Sequence, residues 1–137
     1  ALPKNEQGYI QMLMQNSNLE QYTDDALSAL SSFRASDLWR EIQASNSVYT
    51  EVPFATRLAA ESPPTILRGI LDLAISTPEG WILVDYKTDA IPDSNPDFLT
   101  KKYARQVESY AEHWKAISGE FVTEKGIWST ELGWVRI

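Results

Sequence analysis

Two apolar runs separated by a four-residue break constrain this chain more than any other feature. Thr65 to Ser76 is rich in Ile and Leu, Trp81 to Thr88 follows, and Thr77-Pro78-Glu79-Gly80 lies between them. Short apolar runs bounded by Pro and Gly form a hairpin pattern. Apolar residues fall on both parities of each run: Ile70, Leu71 and Leu73 in the first, Trp81, Ile82, Leu83 and Val84 in the second. A strand that is apolar on both faces must be covered on both, so the pair is expected at the centre of a sheet with a layer of helix on each side.

The segments around the hairpin supply the helices. Tyr9, Ile10, Leu13 and Met14 make one short apolar stripe, and Leu27, Leu30 and Phe33 make a second after the cap candidates Thr23 and Asp24. Ser36 is placed to cap a helix carrying Leu38, Trp39 and Ile42, which the cluster Ser45-Asn46-Ser47 ends. From Val48 to Phe54 the period changes to two, which reads as a strand, and Pro53 suits its end or a sheet edge. A polar loop ending in Pro63-Pro64 leads into the hairpin. Beyond it, Asn95-Pro96 offers an N-cap and a first-turn proline for a helix closed by Gly119, with Tyr103, Val107, Tyr110, Trp114 and Ile117 as its core stripe. Phe121 to Trp128 and Trp134 to Ile137 read as closing strands joined near Glu131-Leu132-Gly133. The expected architecture is α/β: a mixed sheet flanked by helices, with 1–46 helical, 47–137 the sheet core, and a long helix over about 96–118.

At 137 residues and 43% apolar composition the chain fits one globular domain. It begins Ala-Leu-Pro, which is expected of a piece of a longer protein. No apolar run approaches the roughly 20 residues that span a bilayer, so no membrane is expected among its partners. The absence of cysteine leaves oxygen or imidazole as the only metal ligands. Twelve basic against nineteen acidic residues give a net charge of −7, the wrong sign for general attraction to nucleic acid. If the chain acts on DNA, something else must deliver the strand.

The hairpin places chemistry inside the sheet. With the turn centred on Pro78 and Glu79, opposed residues have numbers summing to 157, which sets Asp72 against Asp85. Like charges directly opposed in a buried sheet destabilise it unless a cation or a shared proton relieves them. Lys87, two residues beyond Asp85, leaves the same face. Two carboxylates suit a hard cation such as Mg²⁺ or Mn²⁺, and an ammonium beside them can stabilise charge building on a phosphodiester. An Asp-X-Lys at a strand end also describes an ordinary surface ion pair, and a bulge in the turn would put the two acids on opposite faces.

Leu67-Arg68-Gly69-Ile70-Leu71-Asp72-Leu73, then Trp81-Ile82-Leu83-Val84-Asp85-Tyr86-Lys87-Thr88-Asp89, then Gln106-Val107-Glu108-Ser109-Tyr110 resemble the motif series of the RecB/AddA nuclease domain of the PD-(D/E)XK superfamily. The resemblance runs from about Thr50 to the end. It implies a restriction-endonuclease-like core in which Asp72, Asp85 and the carbonyl of Tyr86 bind Mg²⁺ or Mn²⁺ and Lys87 is the catalytic lysine. Gln106 and Tyr110 match the family's Gln-X-X-X-Tyr, and a spacing of four puts them on one helical face; Tyr110 reads equally as core. Glu51-Val52-Pro53-Phe54 matches a Glu-X-Pro-Phe strand motif, making Glu51 a further candidate, although an exposed strand glutamate is the plain alternative.

The chain departs from the family upstream, where a histidine ligand is usual. The nearest echo is Gln11-Met12-Leu13-Met14-Gln15, with Gln11 in the histidine's place; otherwise that helix lies before residue 1. The one histidine, His113, reads as a partly exposed residue of the late helix, and Lys101, Lys102 and Arg105 as either DNA-backbone contacts or a solvated face. The resemblance implies a DNA exonuclease of the exodeoxyribonuclease V kind, the C-terminal part of a bacterial, cytoplasmic helicase-nuclease in double-strand-break repair and recombination. Helicase domains of the same parent chain, working with a partner subunit, would feed it single-stranded ends. A nuclease fold weakened in catalysis and kept as a structural or DNA-guiding module is the alternative, and an unrelated interaction domain with a buried ion network is a third.

Overall fold

The computed structural model describes residues 2–58, 63 and 65–137. Two compact units divide the chain, 1–40 and 41–137.

In the first unit, helix α1 spans Lys4–Asn16 and α2 spans Thr23–Arg34. Thr23 does not cap α2: the helix continues from a 3-10 turn at Glu20–Tyr22, Thr23 is its first residue, and Asp24 and Asp25 lie in its first turn, where they complement the helix dipole. The stripe of α1 is only partly covered, with Ile10 and Met14 half-buried and Tyr9 and Leu13 exposed. Arg34 ties the unit together: it pairs with Glu6 at 2.5 Å and lies 4.5 Å over the Trp39 ring, which meets Phe33 edge-on. Ser36 caps α3 (Asp37–Ala44) as expected, its Oγ accepting the N–H of Trp39 at 3.2 Å.

The second unit is built on a five-stranded sheet in sequential order: β1 (Val48–Leu58), β2 (Thr65–Thr77), β3 (Gly80–Lys87), β4 (Val122–Ser129) and β5 (Gly133–Arg136). All neighbours pair antiparallel except β3 and β4, which are parallel because α4 (Asp97–Ser118) crosses between them. The sheet is therefore mixed, and Pro53 sits on edge strand β1, where a missing N–H is tolerated. Of the loop ending in Pro63-Pro64, 59–62 and 64 lie outside the described residues. The hairpin register matches the sum of 157 from Thr77↔Gly80 to Leu73↔Val84. Gly80 is required at its turn: φ is +142°, and a Cβ there would stand 2.5 Å from the Phe121 carbonyl oxygen.

Both faces are buried where β2 pairs with β3, whereas Ile66 and Ile70 in the first half of β2 are exposed, against the expectation for Ile70. Ala74, Trp81 and Leu83 pack with Tyr110 and Trp114 of α4, while Leu73, Ile75, Ile82 and Val84 are buried on the opposite face. A second cluster joins Leu99 and Val107 of α4 to Ile91 and to Ile127 of β4, with Tyr103 partly buried against it. The predicted stripe of α4 fails at its last member, since Ile117 is 60% exposed. At the other end Pro96 occupies the N-cap position instead of the first turn, and Asn95 Oδ1 accepts the N–H of Asp97 at 3.0 Å. Gly119 ends the helix in the left-handed conformation, φ +72°.

Candidate active site

The catalytic candidates gather where the β2–β3 ladder stops. The last ladder pair is Leu73↔Val84, so Asp72 and Asp85 do not form the next rung. Instead Asp72 Oδ2 accepts the backbone N–H of Tyr86 at 2.7 Å, which holds the carboxylate beside β3. The departure has a partner in β1. Pairing of β1 with β2 runs from Thr50↔Leu73 to Val52↔Leu71 and skips Glu51, which lies opposite Asp72 with φ at +52°. Both strands are irregular at the same level, and the alternation of faces shifts there: Leu71 and Ala74, an odd number apart, share one cluster with Val52 and Phe54. This kink is what frees the Asp72 side chain from the regular ladder.

Asp85 is 3% exposed, and its neighbour on the parallel side is Ile127. Burial holds its carboxyl above the usual carboxylate range; Lys87 opposes that shift and the nearby Asp72 adds to it. Oδ2 of Asp85 pairs with the Lys87 ammonium, yet among the described residues it accepts no well-directed hydrogen bond. A buried acceptor left in this state, with a second carboxylate beside it, has the chemistry of a hard-cation ligand. Asp72 and Asp85 therefore fit a divalent metal, although among the described residues no group of three or more His, Cys, Asp or Glu converges.

Helix α4 closes the site from above the sheet. Tyr110 is buried, and desolvation together with the negative charge of Asp85 and Asp72 pushes its hydroxyl up to about 12, so it remains a proton donor near the two acids. Phe54 meets its ring edge-on at 4.9 Å. Gln106, one turn earlier, is exposed, and with Tyr110, Arg105, Phe54 and Arg68 it lines a groove of about 470 Å³. Gly69 allows the Phe54 ring to lie flush, since a Cβ there would come within 2.5 Å of it.

The other candidates divide between the site and its surroundings. Glu51 stands at the kink with an exposed side chain. Tyr86 lies between Asp85 and Lys87 in β3, with its side chain 41% exposed. His113 is half-buried with its ring 5.1 Å from that of Phe54. Gln11 and Gln15 are exposed on α1 of the first unit. Of the three basic residues, Lys101 is exposed, Lys102 is bound to Asp89 and Arg105 lines the groove. Periodicity marks Tyr103 only as core and gives Asp89 no role, yet Tyr103 touches both Asp89 and Lys87. Its spacing of seven from Tyr110 on one helical face is the signal that could have found it.

The family model of the PD-(D/E)XK nuclease superfamily matches residues 4–136. The chain belongs to that superfamily. Its curated relatives include an ATP-dependent helicase/nuclease subunit of Acetivibrio thermocellus, 31% identical over 108 residues (70% of this chain and 9% of the relative), and its namesake in Pelotomaculum thermopropionicum, 30% identical over 114 residues (76% and 9%). The protein of the same name from Bacillus cereus strain G9842 is 36% identical over 110 residues, covering 68% of this chain and 9% of the relative. The chain thus spans about a tenth of the length of these relatives. As a PD-(D/E)XK nuclease domain it combines the superfamily's α/β core with the carboxylates and lysine described above. No helix among the described residues is long and apolar enough to cross a membrane.

Proposed function

We propose that this domain is a Mg²⁺- or Mn²⁺-dependent DNA exonuclease, the cutting part of an ATP-driven helicase-nuclease that processes double-strand breaks for repair and recombination. The observation that carries the reading is the pair Asp72 and Asp85 beside Lys87 at the ladder's end, with Asp85 buried and its Oδ2 paired to the Lys87 ammonium. Asp72, Asp85 and the Tyr86 carbonyl would hold the cation. When bound, a cation there supplies charge neutralisation for the scissile phosphate and a more acidic water.

The chain's own residues do the rest. Lys87, now paired with Asp85, would be placed to contact the phosphate or the attacking oxygen if a cation shared that carboxylate. The Tyr110 hydroxyl stays protonated at neutral pH and donates, while Gln106 and Arg105 at the groove orient the strand. The relatives are named as helicase/nucleases, and helicase domains with a partner subunit would supply the grip that a net charge of −7 denies this domain.

Cleavage of an end-labelled single-stranded oligonucleotide tests the reading. The native chain is expected to cut with Mn²⁺ and not with EDTA, and Lys87→Ala to slow cleavage by about 10²-fold or more. A second reading, a weakened nuclease fold that guides DNA, is motivated by one observation: residues 1–47 contain no histidine, and Gln11 is the nearest echo of the family's ligand there. Strand binding without metal-dependent cleavage would establish it.

A further inference from the structure

A lysine ammonium on its four-carbon stem holds no fixed position unless something confines it. Lys87 has two neighbours that do: the Asp85 carboxylate, and the Tyr103 ring, whose centroid lies 4.6 Å from Nζ. The distance is within cation–π range. Any cation that takes Asp85 weakens the first contact and leaves the second untouched. The ring is itself held at its far end, where the Tyr103 hydroxyl donates to Asp89, 2.9 Å from each carboxylate oxygen. Lys102 Nζ lies 2.5 Å from Asp89 Oδ1 and 5.1 Å over the Tyr103 ring. The body of that ring packs on the cluster of Leu99, Val107 and Ile127.

Asp89 and Lys87 are two residues apart at the end of β3, and α4 returns Tyr103 between them. The hydrogen bonds from Lys102 and Tyr103 hold the Asp89 carboxyl below the usual range, which keeps it an acceptor. From this geometry we infer that Tyr103, anchored by Asp89, is a positioning residue that keeps the Lys87 ammonium in the site when Asp85 is engaged by metal. The inference rests on the nuclease reading for its consequence, and on the contacts above for its geometry.

The test combines proton NMR of the Lys87 side chain with single-turnover and steady-state cleavage. The Lys87 Hε resonance, identified as the one absent from Lys87→Met, is expected upfield of the other lysines because it lies over the Tyr103 ring. Tyr103→Phe should keep that shift and most of kcat. Tyr103→Leu should abolish the shift and lower kcat about tenfold, with KM for the strand and Mn²⁺ affinity within twofold of native. Asp89→Asn, which removes the charge and scarcely changes the size of the side chain, should reduce the shift part-way and lower kcat accordingly. A Lys87 resonance unmoved in both Tyr103→Leu and Asp89→Asn overturns the inference, as does an unchanged kcat in both. If the native chain cuts nothing, the nuclease reading falls, while the resonance still decides whether Tyr103 holds the ammonium.

Discussion

Glu51 is a non-glycine residue at positive φ inside a strand, and it lies opposite the metal-ligand candidate Asp72. Left-handed backbone costs an L-residue about 1–2 kcal/mol, so the kink is maintained against a local penalty. The sequence offers no sign of it, because a glutamate among Val, Tyr and Thr reads as ordinary strand and only a glycine would signal the turn. That Asp72 would come near Asp85 was legible from parity and the hairpin's symmetry, but the two do not oppose each other as a ladder pair. The manner of their meeting was not legible: Asp72 leaves the ladder to accept the Tyr86 N–H, a consequence of the kink on β1. In denaturant unfolding, Glu51→Gly should leave stability within about 1 kcal/mol of native, since relief of the left-handed backbone offsets the entropy glycine adds. Glu51→Val should be less stable than Glu51→Gly by at least about 1 kcal/mol, because a β-branched side chain tolerates positive φ worst. Equal stability of the two variants would mean that the kink is not strained.

At the scale of elements, the hairpin and α4 together build the site. Their existence followed from the two-parity apolar runs and from the stripe through Val107, Tyr110 and Trp114. Ile117 continues the same period and was misplaced because periodicity says nothing of what covers a residue. Ile117 lies in the last turn of this 22-residue helix, where it borders a shallow space beside Val52, Phe54 and Leu71 and is left uncovered. The start of α2 was misread for a related reason: Thr23 and Asp24 have the chemistry of caps, but the preceding 3-10 turn already supplies helical backbone. Leu83 shows what the packing contributes, lying 1% exposed between β2 and α4 in the cluster that also seats Tyr110. Leu83→Ala should lower unfolding stability by about 2–5 kcal/mol. It should also lower cleavage more than metal binding, because the void loosens Tyr110 before it reaches the carboxylates. A cost below about 1 kcal/mol would mean the cluster is less tightly packed than the geometry shows.

For the molecule as a whole, composition and function are in tension. A net charge of −7 repels the polymer that a nuclease must grip, and the neighbouring carboxylates of the candidate site would add to the repulsion there. Both would be resolved if a cation sat on Asp72 and Asp85 and if other domains delivered the strand; the chain spans about a tenth of the length of its helicase/nuclease relatives. The family was legible because three motifs occur in order at workable spacings, each on the element its chemistry needs. The cation is thus the hinge of the account, and Mn²⁺ titration by calorimetry on the native chain, Asp85→Ala and Lys87→Ala addresses it most directly. A saturable heat in the native chain, lost in Asp85→Ala and retained or strengthened in Lys87→Ala, where no ammonium competes for the carboxylate, is the predicted result. Heats that are the same in the native chain and Asp85→Ala would contradict it.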